Sequence, residues 1–149
     1  MKKFLIQIII IAHCLLTSCD YWDNRLMIVN ETNLPLFFDY SQVDSIEGEG
    51  RNIYEPFRIV YNQDTLWSES NYFVAPMSEQ KVFVFNTTWP LLINNRYTYN
   101  GQIYIFIFDA DTLQKYDWED VKMNNRYFKK YRFTVEDLQK LDWKVRVTE

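Results

Sequence analysis

The sequence predicts a mainly β domain, a β-sandwich of immunoglobulin-like style with one or two short helices in its last third. Three observations carry this. Short β-prone runs recur at near-regular spacing from Arg25 onward. Helix signals are sparse before Thr112. Aromatic residues make up 18% of the chain, and such side chains favour strands and bury large areas. Only 3 Gly and 4 Pro are few for a sandwich's turns, which keeps an α+β arrangement as the alternative.

Taken in order, Arg25 to Asn30 reads as a strand that is apolar on both faces through Leu26, Met27, Ile28 and Val29. Glu31-Thr32-Asn33 is a turn, and Pro35 to Tyr40 a second strand whose proline suits its entry or an edge. Ser41 to Asn52 is polar and reads as a loop. Phe57 to Tyr61 and Asn71 to Ala75 are short strand candidates. In Gln80 to Asn86, Val82 and Val84 share one face while Phe83 and Phe85 share the other.

Arg96 to Tyr99 and Gln102 onward flank Asn100-Gly101, the pair that favours a tight hairpin because both turn residues need positive φ. The second arm continues to Phe108. Ile103, Ile105 and Ile107 point one way, and Tyr104, Phe106 and Phe108 the other. A strand apolar on both sides is buried on both sides, so it should be central, with a helix or long loop over its second face. Thr112 is placed to cap a short helix through Tyr116, and Asp117 a further turn through Lys122. Arg126 to Phe133 alternates Tyr127, Lys129, Tyr131 and Phe133 against Phe128, Lys130 and Arg132. Thr134-Val135-Glu136-Asp137 has the form of a capping box, with Asp in the place usually held by Glu or Gln. The last strand turns Trp143, Val145 and Val147 inward.

The N-terminus is of another kind. Lys2 and Lys3 precede an apolar run from Phe4 to Leu16, and Leu16-Thr17-Ser18-Cys19 closes it. The run is broken by Gln7 and His13 and is shorter than the roughly 20 residues a bilayer needs. A basic start, an apolar stretch and small residues make a secretory signal. Leu-Thr-Ser-Cys resembles the bacterial lipobox, which implies cleavage before Cys19 and acylation of that residue. The expected division is a signal peptide over residues 1–18, a lipidated tether over 19–24 and a single β-rich domain over 25–149. Asp20, next after the cysteine, resembles the inner-membrane retention aspartate of enterobacteria. In Bacteroidota, acidic residues soon after the cysteine resemble a surface-export signal, and Asp20 and Asp23 fit that pattern. A plain hydrophilic spacer is the other reading.

Loss of residues 1–18 has chemical consequences. Both Lys2 and Lys3 leave, so 14 basic residues face 20 acidic ones, a net charge of −6. Nucleic acid, which needs a basic surface, is excluded as a partner. Cys14 and His13 leave as well. With Cys19 acylated, the domain is left with neither a disulfide nor a histidine. That removes serine–histidine and cysteine–histidine catalysis and histidine-based zinc sites. No cofactor is implied.

Three patterns invite chemistry. Phe106-Ile107-Phe108-Asp109-Ala110-Asp111-Thr112-Leu113 resembles the first motif of haloacid-dehalogenase-like phosphatases, where an Asp nucleophile, an Asp acid and Mg²⁺ act together. It departs by lacking one residue between the second Asp and the Thr, and it follows no alternating βαβ pattern. The same acids, with Asp117, Glu119 and Asp120, have the oxygen ligands a hard cation takes. The plainer reading is that Asp109 and Asp111 order a turn and the start of a helix, and no metal site is assigned. Asp44-Ser45-Ile46, Asp64-Thr65-Leu66 and Asp111-Thr112-Leu113 each resemble the O-glycosylation acceptor of Bacteroidota, with Ser45 and Thr65 in loops.

The late segment Ile105 to Leu113, Trp118, Lys130 to Thr134, Asp137-Leu138 and Leu141-Asp142-Trp143 resembles small lipoproteins of Bacteroides-type bacteria. The resemblance implies a compartment and no activity. The expectation is therefore a non-catalytic structural or interaction module of the cell envelope, lipid-anchored at the outer membrane on its periplasmic face or the cell surface. Its partners would be the membrane through Cys19 and an envelope protein. The alternative is a glycan-binding module with exposed aromatics, Trp89 before Pro90 first and Trp67 second, and the exposure of Trp22, Trp67 and Trp89 separates the two.

Overall fold

The computed structural model describes residues 22–46, 72–95 and 101–149. The expected strand over Phe57–Tyr61, the first hairpin arm over Arg96–Tyr99, and the segment 1–21 lie outside the described residues. Within them are nine strands: β1 (Trp22–Asp23), β2 (Met27–Asn30), β3 (Leu36–Ser41), β4 (Phe73–Val74), β5 (Ser78–Lys81), β6 (Val84–Phe85), β7 (Ile103–Asp109), β8 (Lys129–Phe133) and β9 (Lys144–Val147). Four short helices accompany them: α1 (Trp89–Ile93), α2 (Ala110–Lys115), α3 (Trp118–Met123) and α4 (Val135–Lys140). The chain is mainly β, as expected. The last third holds three helices rather than one or two, because Asp109, Asp117 and Thr134 each cap a separate turn.

The strands form a four-stranded sheet in the order β4-β3-β7-β8, a three-stranded sheet β5-β2-β9 and a two-stranded sheet β1-β6. Every pairing is antiparallel except β2 with β9, which runs parallel with Ile28 opposite Val145. The alternation in β7 sets the layers. Ile103, Ile105 and Ile107 enter a core shared with Leu36 and Phe38 of β3, Ile28 of β2, Val84 of β6, and Val145 and Val147 of β9. That core fills the space between the sheets in the manner of a sandwich. Tyr104, Phe106 and Phe108 face the other way into a second core with Phe37, Ile46, Ala110 and Val121. Helices α2 and α3 cover this side. β7 is central and buried on both faces, and a helical layer covers its second face.

Gln80 to Asn86 is not one strand. β5 pairs with β2, the Val82 amide still donates to the Leu26 carbonyl at 2.9 Å, and β6 then pairs with β1. The change of partner breaks the run, yet the faces stay as expected: Val82 and Val84 are buried, Phe83 and Phe85 exposed. The expected alternation through Arg126 also shifts. Asn125 takes φ of +51°, and Tyr127 joins the second core while Phe128, Tyr131 and Phe133 join the first. Gly101 has φ of +60°, the left-handed value an Asn-Gly turn asks of its glycine.

Asn30 ties the start of β3 to β4. Its side chain is buried, and Nδ2 donates to the carbonyls of Leu34 (2.8 Å), Ala75 (3.0 Å) and Val74 (3.2 Å). Oδ1 accepts from the Thr32 amide and hydroxyl at 2.9 and 2.8 Å. Every polar atom of a buried amide is thereby satisfied, as a low-dielectric site requires.

Candidate functional site

β1 begins at Trp22, inside the expected tether. This corrects the 19–24 boundary: Trp22 and Asp23 belong to the fold, because β1 pairs Trp22 with Phe85 and Asp23 with Val84. A strand alternates, so one of the two residues must face in and the other out. Asp23 faces in, 3% exposed, and Trp22 faces out, 56% exposed. The Asp23 carboxylate is fully engaged. Oδ1 accepts from the amide and Nε of Arg25 at 3.2 and 2.9 Å, and Oδ2 accepts from the Trp89 amide at 3.0 Å. Asp23 is thus buried within the fold rather than open to solvent.

On the outer face of the two-stranded sheet, Trp22 meets two phenylalanines. Its ring lies 4.9 Å from Phe85 and 6.0 Å from Phe83, centroid to centroid, tilted and edge-on respectively. Phe83 is 39% exposed and Phe85 48%. Three aromatic side chains thus stand together in the open while the opposite face of the same sheet packs into the first core. Neither phenylalanine has a polar handle, and the rings meet at steep angles rather than lying in one plane. The arrangement suits an apolar contact better than the flat face and flanking hydrogen-bond groups that a sugar ring uses.

Trp89 is not part of any platform. It is fully buried, packed edge-on against Tyr40 at 5.1 Å, and it opens α1 with Pro90 beside it. The expectation of an exposed loop is corrected: Thr88 caps the helix through the Leu91 amide, and proline in the first turn begins a helix rather than preventing one. Trp67 lies outside the described residues, as does Cys19.

In the acid-rich corner after β7, Asp109, Asp117, Glu119 and Asp120 are engaged in local structure. Asp109, not Thr112, caps α2. Its Oδ1 accepts from the Thr112 amide and its Oδ2 from the Thr112 hydroxyl, both at 2.8 Å. Asp117 caps α3 through the Asp120 amide at 2.8 Å. Glu119 pairs with Lys122 at 2.6 Å, and Asp120 with Asn124 and Arg126 at 2.7 and 2.5 Å. The Arg126 guanidinium, hydrogen-bonded to Asp120 and seated over the Tyr116 ring, has its pKa raised. Among the described residues, no three His, Cys, Asp or Glu side chains are grouped to hold a metal ion. β7 is antiparallel to both neighbours, unlike the parallel sheet that the phosphatase resemblance implies.

Of the glycosylation-like tripeptides, the second lies outside the described residues. In the first, Asp44 is paired with Lys130 at 2.7 Å and Ile46 is buried in the second core. In the third, Thr112 is helical and its hydroxyl is bound to Asp109.

No protein-family model, curated protein or solved structure matches the chain. Among the described residues no helix is long and apolar enough to cross a membrane. The aromatic cluster is the feature that sequence reasoning only half found. The outward faces of Phe83 and Phe85 were legible, and their meeting with Trp22, some sixty residues away, was not.

Proposed function

We propose that this chain is a lipid-anchored, extracytoplasmic, non-catalytic interaction module of the cell envelope, held at the outer membrane through an acylated Cys19. The observation that carries the reading is the short distance between anchor and fold. The lipobox-like Leu16-Thr17-Ser18-Cys19 ends three residues before Trp22, which already pairs in β1. A domain joined this closely to its anchor works at the membrane surface rather than at the end of a stalk, and its partner is an envelope protein. In cells, a fatty-acid label should mark the wild type and not Cys19→Ala, and the wild type should fractionate with membranes. Equal labelling of both proteins would remove the basis of the reading.

A second reading, a glycan-binding module, is favoured by the exposure of Trp22. It now rests on Trp22 and Trp67, since Trp89 is buried. The packing of Trp22 edge-on against Phe83 and tilted against Phe85 weighs against it.

A further inference from the structure

We infer that the Trp22, Phe83 and Phe85 cluster is a membrane-docking surface, which sets the domain against the lipid headgroup layer in one fixed orientation. The inference rests on the membrane anchoring proposed above and adds a face and a depth to it. The occupant follows from where the apolar leader ends. The apolar run Phe4 to Leu16, interrupted only by Gln7 and His13, stops six residues before Trp22. Cys19, the residue proposed to carry lipid, lies three peptide steps away. Three steps of extended chain span at most about 10 Å. The headgroup region of one leaflet is roughly 5–8 Å deep. Trp22 therefore cannot leave the neighbourhood of the bilayer surface while the N-terminus is held in it.

The chemistry of the cluster fits that position. Tryptophan is enriched at membrane interfaces, where its apolar ring and single N–H suit the headgroup level. Phe83 and Phe85 extend the apolar surface, and the inward-facing acid of this sheet, Asp23, is paired with Arg25 and shielded. A net charge of −6 for residues 19–149 gives no electrostatic pull toward an anionic leaflet, so docking must come from apolar contact and should not weaken with salt. The layering makes the docking directional. The cluster lies outside the first core, whereas Met123, 72% exposed at the end of α3, lies beyond the second core on the far side of β7.

The test is a photo-crosslink from p-benzoylphenylalanine placed at Phe83 or, as a control, at Met123. It is made in the full chain, in bacterial cells and in vesicles of phosphatidylethanolamine and phosphatidylglycerol. Position 83 should give adducts with the mass of lipid, undiminished in high salt and lost in the Trp22→Ala, Phe85→Ala background. Position 123 should give none. Circular dichroism on each variant checks that the fold is kept. Adducts at 83 that carry protein or glycan in place of lipid overturn the inference. So does absence of a lipid adduct from a chain that remains membrane-bound. Acylation is read separately by fatty-acid labelling: an unlabelled Cys19 with a lipid adduct at 83 would sink the anchor and leave the docking surface. A chain that washes off the membrane sinks both.

Discussion

The Asp23 carboxylate holds the Trp89 amide at 3.0 Å, joining the first strand of the domain to the first turn of α1 across 66 residues of sequence. Helix N-termini leave amides without partners, and a carboxylate is the strongest neutralising group for them. Here it also pairs with Arg25, whose side chain is 41% exposed and whose guanidinium lies 5.1 Å from the Trp143 ring. One buried acid thus links β1 to α1 directly and, through Arg25, to the turn between α4 and β9.

Asp23→Ala should cost about 1–3 kcal/mol, the penalty for leaving a buried donor unmade rather than the gain of an ion pair. The Arg25 partner adds little, because it is partly exposed and screened. Asp23→Asn keeps an acceptor for one donor and should lose less. Urea unfolding at neutral pH measures both. A variant with Ala at 23 that unfolds at the wild-type midpoint would show that the Trp89 amide does not need this partner.

Asn30 gives a sharper contrast. Its amide nitrogen faces three carbonyl oxygens, so Asn30→Asp would set a carboxylate against three acceptors in a buried site. Asn30→Asp should therefore destabilise more than Asn30→Ala, which only removes the bonds. The excess should grow as pH rises through the carboxylate's titration. Thermal melts of the two variants between acid and neutral pH decide this, and an Asp variant more stable than the Ala variant at neutral pH would contradict the assigned orientation of the amide.

Much of this architecture was legible locally. The two-sided apolar run of β7 announced a central strand, and its two faces sort into the two cores as the alternation requires. The Thr134 to Asp137 box was legible because both partners lie within four residues. The misreadings share a cause. Trp-Pro at 89 and 90 signalled a loop only if Thr88 was overlooked as a cap. Asp23 looked like spacer because its partners are an arginine two residues on and an amide far along the chain. The break between β5 and β6 reflects a change of neighbouring strand, which no property of Val82 or Phe83 encodes.

Asp109 and Asp111 separate a cap from a metal site. Both oxygens of Asp109 are used on Thr112, so Asp109→Ala should cost about 1 kcal/mol, in the ordinary range for a lost N-cap. Asn at either position should retain most of the stability. Millimolar Ca²⁺ or Mg²⁺ should leave the melting temperature unchanged, since a cation binding only the folded chain must raise it. A rise of several degrees that Asp111→Asn abolishes would establish a metal site.

The capping box fixes a pH dependence. The Asp137 carboxylate accepts from the Thr134 amide at 3.0 Å and hydroxyl at 2.9 Å, which hold its pKa below the ordinary value of 3.8. A depressed carboxylate stabilises the fold above its unfolded pKa, and the contribution is lost as pH falls through the folded one. Helix α4 should therefore loosen only in strong acid, and Asp137→Asn should flatten that part of the stability profile. Amide exchange at Leu138 and Leu141, followed below pH about 4, reads the effect.

Trp22 and Trp89 should behave in opposite ways, and together they decide between an apolar surface and a sugar site. Trp89→Ala removes a fully buried indole and should cost about 3–5 kcal/mol, a large share of the 5–15 kcal/mol that holds a typical domain together. Trp89→Phe should lose less, because the buried Trp89 Nε1 has no hydrogen-bond partner among the described residues and its removal leaves no donor stranded. Trp22→Ala takes away an exposed ring at the edge of the fold and should shift stability little. Any sugar binding lost in Trp89→Ala would then report unfolding, whereas a loss in Trp22→Ala would report a site. A glycan array on wild type and Trp22→Ala, each checked by circular dichroism, should show no reproducible binding by either. Binding by the wild type that vanishes in a folded Trp22→Ala would replace the interaction module with the glycan-binding reading.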